Sequence, residues 1–117
     1  MDTSTLFHTL RRATRTSADV AQVGAFRLLR IARLALATAD DVVRDEVKAG
    51  HVGPVAEHLK TQVRRVLAEK LTKRLVAVLL VRLGIRGVLA STVVGLLLPL
   101  VLEYVVRRLG QTQAWAR

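Results

Sequence analysis

The fold turns on residues 87–106, GVLASTVVGLLLPLVLEYVV, twenty residues in which Glu103 is the one ionisable acid or base besides the Tyr104 phenol. As a helix rising about 1.5 Å per residue, this stretch is roughly 30 Å long, the thickness of a bilayer's hydrocarbon core. Arg86 bounds one end, and Arg107 with Arg108 the other; Tyr104 and Trp115 lie on the C-terminal side, where interfacial aromatics anchor. Two readings fit: a membrane-inserted helix, or a helix buried in an oligomer or particle-like assembly. The strictly uncharged run, Gly87–Leu102, is sixteen residues. Its apolarity runs round the whole helix, more than two amphipathic helices are expected to cover, and this favours lipid.

Within this stretch Gly87, Ser91 and Gly95 recur every fourth residue, and Pro99 continues the row. Small side chains let helix backbones approach closely, so the row reads as a helix-packing ridge, most simply against another copy. Pro99 removes one backbone hydrogen bond and is expected to kink the helix. Glu103 and Arg107, four apart, are placed to pair.

Upstream, Leu75–Val81 is also wholly apolar, and Arg82-Leu83-Gly84-Ile85-Arg86-Gly87 breaks the two runs apart. Before that, residues 55–73 carry an apolar stripe at Val55, Leu59, Val63, Val66, Leu67 and Leu71, with Glu57, Lys60, Arg64, Arg65, Glu69 and Lys73 mostly on the other side. Gly50-His51-Val52-Gly53-Pro54 is a turn, with Gly50 suited to close one helix and Pro54 to open the next. Residues from about 5 to 49 contain no proline and read as helix, with an interruption near Thr14–Ser17, where Ser17 is an N-cap candidate and Asp19 lies in the first turn. The stripe here is Ala25, Leu28, Leu29, Ala32, Leu36, Ala39 and Val43. Asp40, Asp41, Asp45 and Glu46 then form an acidic end with Arg44 and Lys48 interleaved.

The expected architecture is all-α: an αα-hairpin of two amphipathic helices, about 5–49 and 54–83, then an apolar helix, about 87–109. Residues 1–83 form the basic hairpin and 84–117 the apolar helix with its polar tail.

Charge is the second decisive feature. The 117 residues carry 19 Lys and Arg against 9 Asp and Glu, a net charge of +10. Mean hydropathy is nevertheless +0.34, so charge and apolarity must be segregated. Such a surplus calls for an anionic partner. The arginines expected on lipid phosphate, or on an acidic partner, are Arg11, Arg12 and Arg15, Arg27, Arg30 and Arg33, and Arg82 with Arg86. Sixteen of the nineteen cations precede residue 87, so the positive-inside rule keeps the N-terminal part cytoplasmic, while Arg107, Arg108 and Arg117 also suit a re-entrant hairpin. The first residues lack the basic-then-apolar order of a secretory signal.

Chemistry is conspicuous mainly by exclusion. Without cysteine there is no thiolate site or disulfide. His8, His51 and His58 match no metal-ligand spacing, and no phosphate loop or dinucleotide fingerprint occurs. No serine or threonine has a base and orienter in a shared motif. A non-enzymatic, membrane-associated structural or accessory subunit without cofactor is expected. The alternative is a helical protein coating nucleic acid in a nucleoprotein or virus-like particle, since arginine-studded helices neutralise phosphates; with aromatics at 3 % of the chain, base stacking is not available to it. A third is a membrane-perturbing toxin or holin-like protein.

Overall fold

A computed structural model describes residues 1–49 and 60–115, with side chains described over 1–49 and 64–110. The described residues form five helices and no strand: α1 (Thr3–Ala13), α2 (Ala18–Ala21), α3 (Ala25–Lys48), α4 (Lys60–Leu83) and α5 (Gly87–Trp115). The all-α expectation with an apolar C-terminal helix holds. The turn at Gly50–Pro54, together with Val55, His51, Glu57, His58 and Leu59, lies outside the described residues.

The N-terminal segment is three helices instead of one interrupted helix. Asp2 caps α1, its carboxylate accepting from the Thr5 amide at 3.0 Å and the Thr5 hydroxyl at 3.1 Å. Those bonds hold the Asp2 carboxyl below its usual range, the Thr5 amide contributing most. The cap therefore acts above the ordinary carboxylate range and is lost as pH falls through the lowered value. Asp2→Ala is therefore expected to speed hydrogen exchange at the Thr5 amide near neutral pH; an unchanged rate would show that α1 starts without this cap. Ser17 caps α2, accepting from the Val20 amide at 3.3 Å, as its position in the sequence predicts. A turn at Val23-Gly24 then redirects the chain into α3.

Helices α4 and α5 are joined by a tight corner. Gly84 has φ +67°, a left-handed conformation that side chains strain to adopt; its amide returns to the Leu80 carbonyl, and that of Ile85 to Leu79. Gly87 has φ +68°. The corner thus depends on two glycines, and Gly87 serves the turn as well as heading the small-residue row.

Polar cross-links set the helix directions. Arg64 on α4 pairs with Glu103 on α5 at 3.0 Å, and Lys70 on α4 with Glu46 on α3 at 2.6 Å. Tyr104 on α5 donates to Asp40 on α3 at 2.6 Å. Near the corner, the Arg27 guanidinium donates to the Leu83 carbonyl at 2.6 Å. Accordingly α3 and α5 run parallel, with α4 antiparallel to both. The body measures 47 × 24 × 23 Å, and its long axis matches a 29-residue helix at about 1.5 Å per residue.

Helix α5 packs against each of the other four. Its inward stripe, Ala90, Val93, Val94, Leu97, Val101, Val105 and Leu109, is buried at helical spacing. Facing it are Leu67, Leu71, Leu75 and Leu79 on α4, Leu28, Ile31, Ala35 and Val42 on α3, and Leu6 and Leu10 on α1. Leucines 89, 96, 98, 100 and 102 flank the stripe half-buried. Four helices pack on it yet bury only 33 % of its most apolar window, in keeping with the expectation that too little chain surrounds it, and its outward line is Ser91, Gly95, Pro99 and Glu103. Ala25 and Val66, placed on the apolar stripes by their spacing, are exposed, whereas Ile31, Ala35 and Val42 complete the α3 face.

Candidate functional site

Acids and bases are distributed unevenly along the bundle, and that distribution defines the site. Between residues 3 and 39 the one carboxylate is Asp19, and residues 70–102 contain none. The remaining described acids beyond Asp2 and Asp19 lie toward the C-terminal half of α3, in α4 and in the second half of α5. Four of these six act as cross-links between helices. Asp45 pairs with Arg74, Glu46 with Lys70, Glu103 with Arg64, and Asp40 with Tyr104, whose hydroxyl also accepts from Arg108 at 2.9 Å. Asp41 pairs within α3 with Arg44. The acidic end predicted to be solvated is thus tied to α4 and α5, with Glu46 buried; Glu103 reaches Arg64 and not Arg107.

Many bases have no such partners among the described residues, Lys48, Arg65, Lys73 and Arg107 in the acid-rich half included. Arg11, Arg12, Arg15, Arg30, Arg33, Arg82 and Arg86 are exposed, and among the described residues none makes an ion pair. Arg27 is also exposed, but its guanidinium is partly committed to the Leu83 carbonyl. That bond brings the first turn of α3 against the last residue of α4, so Arg27, Arg82 and Arg86 share the corner, with Arg30 one turn along α3. Arg11, Arg12 and Arg15 lie on α1 and just past its end, lining with His8 and Thr14 a shallow depression of about 540 Å³.

The same corner carries apolar side chains that face water. Phe26, Val81 and Val88 are 76 %, 79 % and 70 % exposed, and Leu80 and Val76 are partly so. Each belongs to the helix turns that meet at the corner: Phe26 beside Arg27, Val81 beside Arg82, Val88 beside Gly87. Composition and periodicity did not single out Phe26 or Val81. Their signal was adjacency to arginine inside an otherwise apolar or amphipathic run, and their shared place at one end of the bundle arises only once α3, α4 and α5 converge.

The row Gly87, Ser91, Gly95 and Pro99 is exposed along one side of α5, and a Cβ added at Gly87 or Gly95 would meet nothing within 4 Å. No other helix of the chain packs on it. Pro99 lies inside an unbroken α5; the carbonyl it leaves without a partner is that of Gly95, one turn back on the exposed side, where water reaches it. Gly87–Gly110 is long and apolar enough to cross a membrane. Among the described residues no group of His, Asp or Glu side chains is arranged to hold a metal ion.

No protein family matches the chain, and no curated protein or solved structure is detectably similar to it.

Proposed function

We propose that this protein is a non-enzymatic, membrane-associated accessory subunit that docks on an anionic bilayer through the corner where α3, α4 and α5 meet. One observation carries the reading. Arg82 and Arg86, which pair with no carboxylate among the described residues, and the solvent-facing Phe26, Val81 and Val88 belong to the helix ends that meet at this corner, while Asp40, Asp45, Glu46 and Glu103 at the opposite end are tied to neighbouring helices. A bilayer surface answers both features, since headgroup phosphates take the guanidinium groups and the acyl boundary takes the apolar side chains. A nucleic-acid backbone would satisfy the arginines and leave exposed valines against phosphate. The bare row at Ser91, Gly95 and Pro99 is the face left for a partner helix.

Flotation with vesicles tests this. Vesicles containing phosphatidylglycerol are expected to carry the protein at least tenfold better than pure phosphatidylcholine. Binding should weaken steeply between about 0.05 and 0.5 M salt as screening shortens the reach of each charge. Equal affinity for neutral vesicles, or salt-sensitive retention on duplex DNA without vesicle binding, would overturn the proposal.

Gly87–Gly110 also has the length and apolarity for a deeper mode of attachment. Spanning would require α5 to exchange its contacts with α1–α4 for lipid. Alkaline carbonate separates the two: a docked bundle is washed off, and a spanning helix stays in the pellet.

A further inference from the structure

Between α4 and α5, just above the corner, runs an open groove of about 550 Å³. Val76 and Leu80 form its α4 wall, Val88 and Ser91 its α5 wall, and the buried Ile85 and Ala90 its floor. Arg86 stands at its mouth, exposed and without a carboxylate partner among the described residues. Arg82, at the end of α4, does not line the groove.

The chemistry of the groove selects its occupant. Its walls are mostly aliphatic, with Ser91 and Thr92 on the α5 side, and aligned with two antiparallel helices, which suits a narrow flexible chain. Its volume falls in the range of roughly 300–1,000 Å³ typical of small-molecule sites. The basic mouth, in a region free of carboxylates from residue 70 to residue 102, requires an anion attached to that chain. A second copy of this protein would bring its own surplus of positive charge against Arg86, and repulsion disfavours it. We propose that the α4–α5 groove takes one acyl chain of an anionic phospholipid, with the lipid phosphate on Arg86. The site rests on the docking reading above and deepens it: the bundle lies on the bilayer and also holds one lipid chain drawn from it.

The test uses the full chain and lysophosphatidylglycerol below its micelle concentration, followed by methyl NMR and native mass spectrometry. One equivalent should bind and shift the methyl signals of Val76, Leu80 and Val88. Ser91→Trp, which places a bulky ring in the groove from an exposed position, should weaken this binding at least tenfold while vesicle flotation stays within about twofold. Arg86→Ala should weaken it about fivefold and leave the methyl pattern of the residual complex in the same place. Oleate separates a carboxylate source from a phosphate one and should bind several-fold less well; equal or tighter binding would overturn the phosphate assignment. Unchanged lysolipid affinity in Ser91→Trp, or methyl shifts confined to another part of the bundle, would overturn the groove. Vesicle flotation without lysolipid binding would overturn the groove alone. Lysolipid binding by a chain that ignores vesicles would support the groove and overturn the docking reading.

Discussion

Changing Val81 and Val88 together to aspartate is expected to reduce binding to phosphatidylglycerol vesicles by at least a hundredfold without unfolding the bundle. Both side chains are largely in water, 79 % and 70 % exposed, so the fold gains little from them. Moving a valine from water into the acyl boundary is worth roughly 1.5 kcal/mol when complete. An acidic charge held against an anionic surface adds a penalty of about 1 kcal/mol. Two positions with partial insertion give on the order of 3–5 kcal/mol, and each 1.4 kcal/mol is about tenfold. Val88 lies in the first turn of α5, where the helix dipole favours an aspartate, and Val81 lies near the end of α4, where it does not; the two effects oppose each other. The thermal midpoint should therefore move by less than about 5 °C. Vesicle binding equal to that of the parent chain would show that this corner is not the docking surface. Phe26→Ala, on the third helix of the corner, should weaken binding in the same direction by a smaller factor.

The second large effect concerns what covers α5. Leu97 is 1 % exposed, at the middle of the inward stripe, and its truncation to alanine is expected to cost about 3 kcal/mol, within the 2–5 kcal/mol usual for a buried leucine. Against a total stability of about 5–15 kcal/mol for a native protein, that loss is large. It should lower the unfolding midpoint by more than about 10 °C in detergent-free buffer. Two residues earlier, Gly95→Ala should do the opposite. Gly95 is helical and exposed, an added Cβ meets nothing within 4 Å, and alanine is favoured over glycine in a helix by about 1 kcal/mol. Opposite signs at neighbouring positions follow from a helix with one packed face and one bare face. Urea unfolding of both variants reads it directly. An unchanged midpoint for Leu97→Ala would mean that the inward stripe is not held by α1, α3 and α4 and that some other apolar medium covers it.

Much of this molecule was legible along the chain. Spacing alone gives helices and no strands, because apolar residues recur at three and four positions and glycine and proline are confined to a few places. The break at Arg82–Gly87 followed from the interruption of an apolar run by charge and two glycines, and both glycines adopt the left-handed backbone that such a corner requires. Ser17 was recognisable as a cap because a hydroxyl before a helical run accepts from the amide three residues on. The segregation of arginines from carboxylates was visible in the order of residues.

What the chain alone could not decide is which face meets which. Helical period says that Leu97 and Val101 share a side with Val93 and Val94, but not that α1, α3 and α4 close over that side, since such contacts join residues far apart in sequence. For the same reason the acids of α3 read as a solvated end, when their partners Lys70, Arg74 and Tyr104 lie on other helices. Phe26, Val81 and Val88 are unremarkable as single residues in three separate helices. They come to the same end of the bundle only where the glycine corner and the Arg27–Leu83 bond bring those helix ends together, because a surface is a property of packed elements and not of any one of them.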